Sequence, residues 1–111
     1  MITKVRQALR RKTDSLDEEI QDCINACYSD MARVGIAVFD SEGKLRADID
    51  KVPLVIACQK HYARWQFNFE NAAERYKAAY EATRDGMSLC KKYTDKEFAP
   101  EVFPGTDSTE E

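Results

Sequence analysis

Ser15-Leu16-Asp17-Glu18-Glu19-Ile20-Gln21-Asp22-Cys23-Ile24-Asn25-Ala26-Cys27-Tyr28-Ser29-Asp30-Met31-Ala32-Arg33-Val34-Gly35 is the stretch that decides the fold. Ser15 and Glu18 form a capping-box pattern, in which the serine caps the Glu18 N–H and Glu18 reaches back. Asp17, Glu18, Glu19 and Asp22 crowd the first turns, where the helix dipole favours negative charge. Ile20, Ile24, Cys27, Met31 and Val34 then step by four and three, and Leu16 and Cys23 widen the stripe. Gly35 follows as a residue able to take the left-handed conformation that ends a helix. The stretch therefore predicts one long amphipathic helix with a single buried face.

Upstream, Lys4, Arg6, Arg10, Arg11 and Lys12 accompany Val5, Ala8 and Leu9 at helical spacing behind Thr3, a candidate N-cap. This predicts a short basic helix. Downstream, residues 36–50 lose the helical period and place Asp40-Ser41-Glu42-Gly43 between two short apolar pieces, which predicts either a long loop or a small hairpin. Asp50 with Pro53 signals the next helix, because proline in a first turn loses no hydrogen bond. There Val55, Cys58, Tyr62, Trp65 and Phe69 repeat at helical spacing, broadened by Ile56, Ala63 and Phe67. Asn68 or Asn71 is the expected cap of a fourth helix carrying Ala73, Tyr76, Tyr80, Thr83, Met87 and Cys90, with Asp85-Gly86 as an early stop. The class is all-α: a small antiparallel bundle of about four helices. Residues 1–93 read as a helical domain and 94–111 as an acidic, extended or disordered tail.

The chain has 111 residues, 43% of them hydrophobic, which suits one domain. A domain this small buries only about two-thirds of its unfolded surface, so association with further copies is expected. Apolar runs are short, Leu54 to Cys58 being typical, far below the roughly 20 residues of a membrane span. The first residues lack a secretory h-region, so the expected site of synthesis and residence is the cytosol, with no membrane partner. The net charge of −3 argues against a bulk nucleic-acid binder. Residues 94–111 hold six acids and Lys96, which leaves the rest at +2. Phe98, Val102 and Phe103 are unusual in such a segment and suit docking into a groove.

Enzyme motifs are missing from the pattern. Gly35, Gly43, Gly86 and Gly105 are too scattered to cradle a phosphate, and His61 is the only histidine to serve as a base. The sharpest chemical set is Cys23 and Cys27 on one helix with Cys58 and His61 on another, four ligands a tetrahedral zinc ion accepts. Cys27 and Cys58 fall on apolar stripes, however, and reduced cysteines packed in a core are the expected reading, with no cofactor. The basic helix is expected to pair with the acidic turn at residues 14–22 or with a neighbouring subunit, rather than with DNA phosphates.

Val5-Arg6-Gln7-Ala8-Leu9-Arg10-Arg11-Lys12-Thr13, Leu16-Asp17-Glu18-Glu19-Ile20, Val34-Gly35-Ile36, Pro53-Leu54-Val55-Ile56-Ala57 and Ala73-Glu74-Arg75-Tyr76-Lys77-Ala78-Ala79-Tyr80-Glu81 occur in an order that resembles the small head-to-tail connector proteins of tailed phages and prophages, the gp6-like family. The resemblance spans residues 5 to about 90. It implies a structural subunit without turnover, assembling as a homo-oligomeric ring beneath the portal protein, continuing the channel past packaged DNA and presenting a surface to tail or head-closure proteins. The implied location is the virion neck, with host cytoplasm during assembly. The tail from Thr94 and the loop at 36–50 lie outside the pattern. Lys4, Arg6, Arg10, Arg11 and Lys12, with Phe98, Val102 and Phe103, are the candidate subunit or portal contacts, the basic helix meeting the acidic tail around the ring. A small helical DNA-binding or regulatory protein is the second reading, and a cysteine- or zinc-dependent protein the third.

Overall fold

A computed structural model describes residues 1–10 and 16–94. Among these described residues are five α-helices, α1 (Ile2–Ala8), α2 (Asp17–Arg33), α3 (Pro53–Gln66), α4 (Ala73–Ser88) and α5 (Lys91–Thr94), with 3₁₀ turns at Ile49–Lys51 and Phe69–Asn71. Among the described residues the only β-pairing is one antiparallel bridge, Phe39 to Leu45. The expected all-α bundle is the observed one, and α5 is an addition to it.

The α2 stripe is buried as its spacing requires. Ile20, Ile24, Cys27 and Met31 face inward and Tyr28 joins them. The start differs from the expected capping box: Leu16 holds the N-cap position without a side-chain hydrogen bond, and Ser15 lies outside the described residues. At the other end Gly35 takes φ +101°, its N–H donates to the Ala32 carbonyl, and the Ile36 N–H donates to that of Met31. These two bonds form a Schellman cap, which satisfies carbonyls the helix leaves open.

Between α2 and α3 the alternative left open by the sequence resolves as a small hairpin. The Asp40 carboxylate accepts from the Glu42 and Lys44 N–H groups at 2.9 and 3.0 Å, tightening the turn. Pro53 opens α3 at the first helical position as expected, but the N-cap is extended Val52, and Asp50 belongs to the preceding 3₁₀ turn. Helix α3 is the central strut: Val55, Cys58 and Ala63 enter the core shared with α1, α2 and α4. Gln59, absent from the expected core, is 1% exposed. Its amide donates to the Ile24 carbonyl at 3.1 Å, which makes burial of a polar side chain tolerable.

Three further expectations are corrected. Neither Asn68 nor Asn71 caps α4, whose N-cap is Ala72. Both take left-handed backbone conformations, at φ 49° and 55°, as does Glu70 at 54°. Asparagine tolerates that region better than most residues, so the pair marks the sharp reversal between α3 and α4 instead of a cap. Asp85-Gly86 does not end α4, which continues to Ser88 and buries Met87. Cys90 is exposed beyond that helix. The chain then returns in α5, where the Tyr93 carbonyl accepts the Ala37 N–H at 2.7 Å.

Gly35, just past α2, and Gly86, inside α4, have opposite requirements. A Cβ on either Gly35 or Gly86 meets nothing within 4 Å, so only backbone conformation separates them. Gly35→Ala is expected to lower stability by about 1 kcal/mol, because an L side chain is strained at that φ. Gly86→Ala is expected to raise it by roughly 0.5 kcal/mol, through a better helix propensity. Urea unfolding of the two variants checks both signs.

Candidate functional site

Of the four candidate zinc ligands, Cys27 and Cys58 lie in the core and Cys23 and His61 are half-buried. Cys27 and Cys58 are buried, their Sγ atoms each 3.9 Å from a methionine sulfur, Met31 and Met87 respectively. Burial pushes the Cys23 thiol up to about 11 and the Cys58 thiol up to about 12, and raises Cys27 too. His61 lies half-buried against Tyr76, ring centroids 6.4 Å apart, and burial followed by the Arg64 charge lowers its pKa. Among the described residues no three His, Cys, Asp or Glu side chains gather into a metal cluster.

The basic helix is partly engaged within the chain. Arg6 forms a forked pair with Asp17, its Nε 3.0 Å from Oδ1, so it ties α1 to the acidic start of α2. Arg10, outside the helix, reaches Glu70 at 3.5 Å while staying largely exposed, and lies 5.6 Å from the Phe69 ring centre. Lys4 is half-buried. Arg11, Lys12, Phe98, Val102 and Phe103 lie outside the described residues. Arg64, which composition alone does not distinguish, completes this end of the molecule. Its guanidinium sits over Phe69 and Tyr76, and its Nε donates to the Ala8 carbonyl at 3.1 Å. A cation at the carbonyl end of α1 meets the negative pole of that helix. The face formed by Arg10, Arg64, Phe69, Glu70 and Arg75 thus offers charge and aromatic surface.

The strongest polar cluster centres on Asp30 of α2. Its carboxylate accepts the Tyr80 hydroxyl at 2.6 Å, Arg84 at 2.8 Å and Arg33 at 2.8 Å. Tyr80 is fully buried and packs edge-on against Tyr62, while Arg84 lies over the Tyr80 ring. Burial acts to raise the Asp30 pKa, but the bonds from Tyr80, Arg33 and Arg84 outweigh it and bring the value down to about 2. These groups clasp α2 to α4. They do structural work: Tyr80 and Arg33 donate to Asp30, and Arg84 bridges Asp30 and Asp85.

A folded-state value below the unfolded one stabilises the fold at neutral pH, and the contribution disappears as pH falls through about 4 toward 2. Asp30→Asn is expected to cost about 2 kcal/mol at pH 7 and less than half of that near pH 2.5. Urea unfolding of both proteins at the two pH values measures the gap; a gap independent of pH contradicts the assignment.

No helix among the described residues is long and apolar enough to cross a membrane. No curated protein and no solved structure matches the sequence. A family model described as phage connector protein matches residues 1–94, and so covers all five helices. With that span matched, and with side chains arranged for packing and pairing, the chain belongs to the phage connector proteins, a structural family.

Proposed function

We propose that this chain is a subunit of the head-to-tail connector of a gp6-like type: one wedge of an adaptor ring beneath the portal protein. The ring continues the DNA channel, joins the head to tail or head-closure proteins, and is resident in the virion neck after assembly in host cytoplasm. The family match across the whole helical body carries this reading. The body holds one core closed by internal clasps, which suits a rigid part placed repeatedly around an axis. Residues 1–93 act as the wedge and 94–111 as an appended tail. The role requires no catalysis, cofactor or membrane.

Arg6 is paired with Asp17, so the basic contacts proposed for a neighbouring subunit or the portal are Lys4, Arg10, Arg11 and Lys12. Their partners in the next copy are acids, with Asp107, Glu110 and Glu111 as the most distal ones in the sequence. Surface pairs of this kind are individually weak, and several acting together set orientation more than affinity.

Negative-stain microscopy of the purified chain, alone and mixed with its portal protein, tests the role. Rings or portal-bound collars are expected, and absence of both contradicts it. Reversing Arg10, Arg11 and Lys12 to Glu is expected to lower the oligomer mass in light scattering or to abolish the collar. Unchanged assembly removes the basic segment from the interface.

A further inference from the structure

A groove of about 380 Å³ runs between α2 and the hairpin, with Ile24, Tyr28 and Leu45 in its walls beside the polar Asn25, Arg46 and Asp50. A second hollow of about 220 Å³ shares Tyr28 and Leu45 and adds Phe39, so the two form one strip. Leu45 stands 44% exposed on its edge. Tyr28 is 3% exposed, and its hydroxyl is buried with no hydrogen-bond partner among the described residues. A buried hydroxyl left unpaired is unfavourable, so this part of the groove is incomplete as it stands.

We infer that the chain's own segment 95–103 occupies this groove, with Phe98, Val102 and Phe103 as its apolar anchors. Reach supports this occupant. Tyr93 is bonded to Ala37 at the base of the hairpin, and it lines a hollow with Arg46 and Ile49, two residues that also line the groove. Tyr93, one residue before Thr94, therefore packs on side chains that also wall the groove. Phe98 is four residues beyond Thr94, up to ~14 Å in an extended chain, and Val102 and Phe103 extend the same reach. Chemistry supports it as well. These are the only large apolar side chains after Tyr93 in a segment otherwise rich in acids, and water is a poor environment for them. The inference does not depend on the ring reading, and it leaves the acids beyond Phe103 outside the groove.

Two measurements on the full chain test it. Trypsin cleavage after Lys96 is expected to be about tenfold slower in the parent than in Phe98→Asp/Phe103→Asp or in Leu45→Asp, because a docked segment must open before it is cut. The Leu45 change lies on the surface, and the Phe changes lie outside the helical body, so neither relies on unfolding for its effect. Nuclear Overhauser contacts from the Phe98 and Phe103 rings to Tyr28 and Leu45 are expected within one molecule, in mixtures of labelled and unlabelled chains. Equal cleavage in all three proteins, or absence of those contacts, overturns the inference. Contacts found only between labelled and unlabelled molecules also overturn it, by assigning the groove to a second copy's tail.

Discussion

One carboxylate governs how the bundle closes. Asp30 projects from α2 and collects donors from its own helix, through Arg33, and from α4, through Tyr80 and Arg84. Helix α3 packs between these elements, and apolar contact alone leaves their rotation about it loosely defined. A charge-assisted bond of 2.6 Å from a fully buried tyrosine allows little such freedom. The aromatic group of Tyr62, Trp65 and Tyr80 stacks around this point, so the clasp also fixes where α3 and α4 present their rings. Removing Asp30 leaves the fully buried Tyr80 and the largely buried Arg84 without their shared acceptor.

The fold was largely legible where physical requirements are local. Hydrophobic spacing identified the buried face of α2, Gly35 its Schellman stop, and Pro53 the first turn of α3. Devices that depend on tertiary context were misread. Asn68 and Asn71 carry the same sequence signal for capping and for left-handed turns, and only the tight return of α4 onto α3 selects between them. Gly86 reads as a stop, yet burial of Met87 beyond it carries the helix on. Cys90 continues the helical stripe in sequence, but α4 ends before it and leaves it exposed.

The polar network was less legible than the core. Asp30 looks like one more solvated acid of an acidic helix, and Tyr80 like a core aromatic; their pairing spans 50 residues, beyond any local pattern. Gln59 is hidden by its place on an otherwise apolar face. The basic helix shows the reverse case. Its charge was plain in the sequence, and the pairing of Arg6 with the start of α2 follows the expected attraction to the acidic turn. That pairing leaves fewer cations for intermolecular use than composition alone suggests.

The family is structural, so rigidity and the faces the bundle presents are the features to weigh. The Asp30 clasp and the Gln59 bond to α2 supply the first, and the charged end at Arg10 and Arg64 supplies a face of the second kind. The most direct measurement is cryo-electron microscopy of the purified phage particle that encodes this chain. The account predicts a ring of helical density beneath the portal, into which α1 to α5 fit with the α2–α4 clasp intact. Neck density that accommodates no copy of this bundle would contradict it.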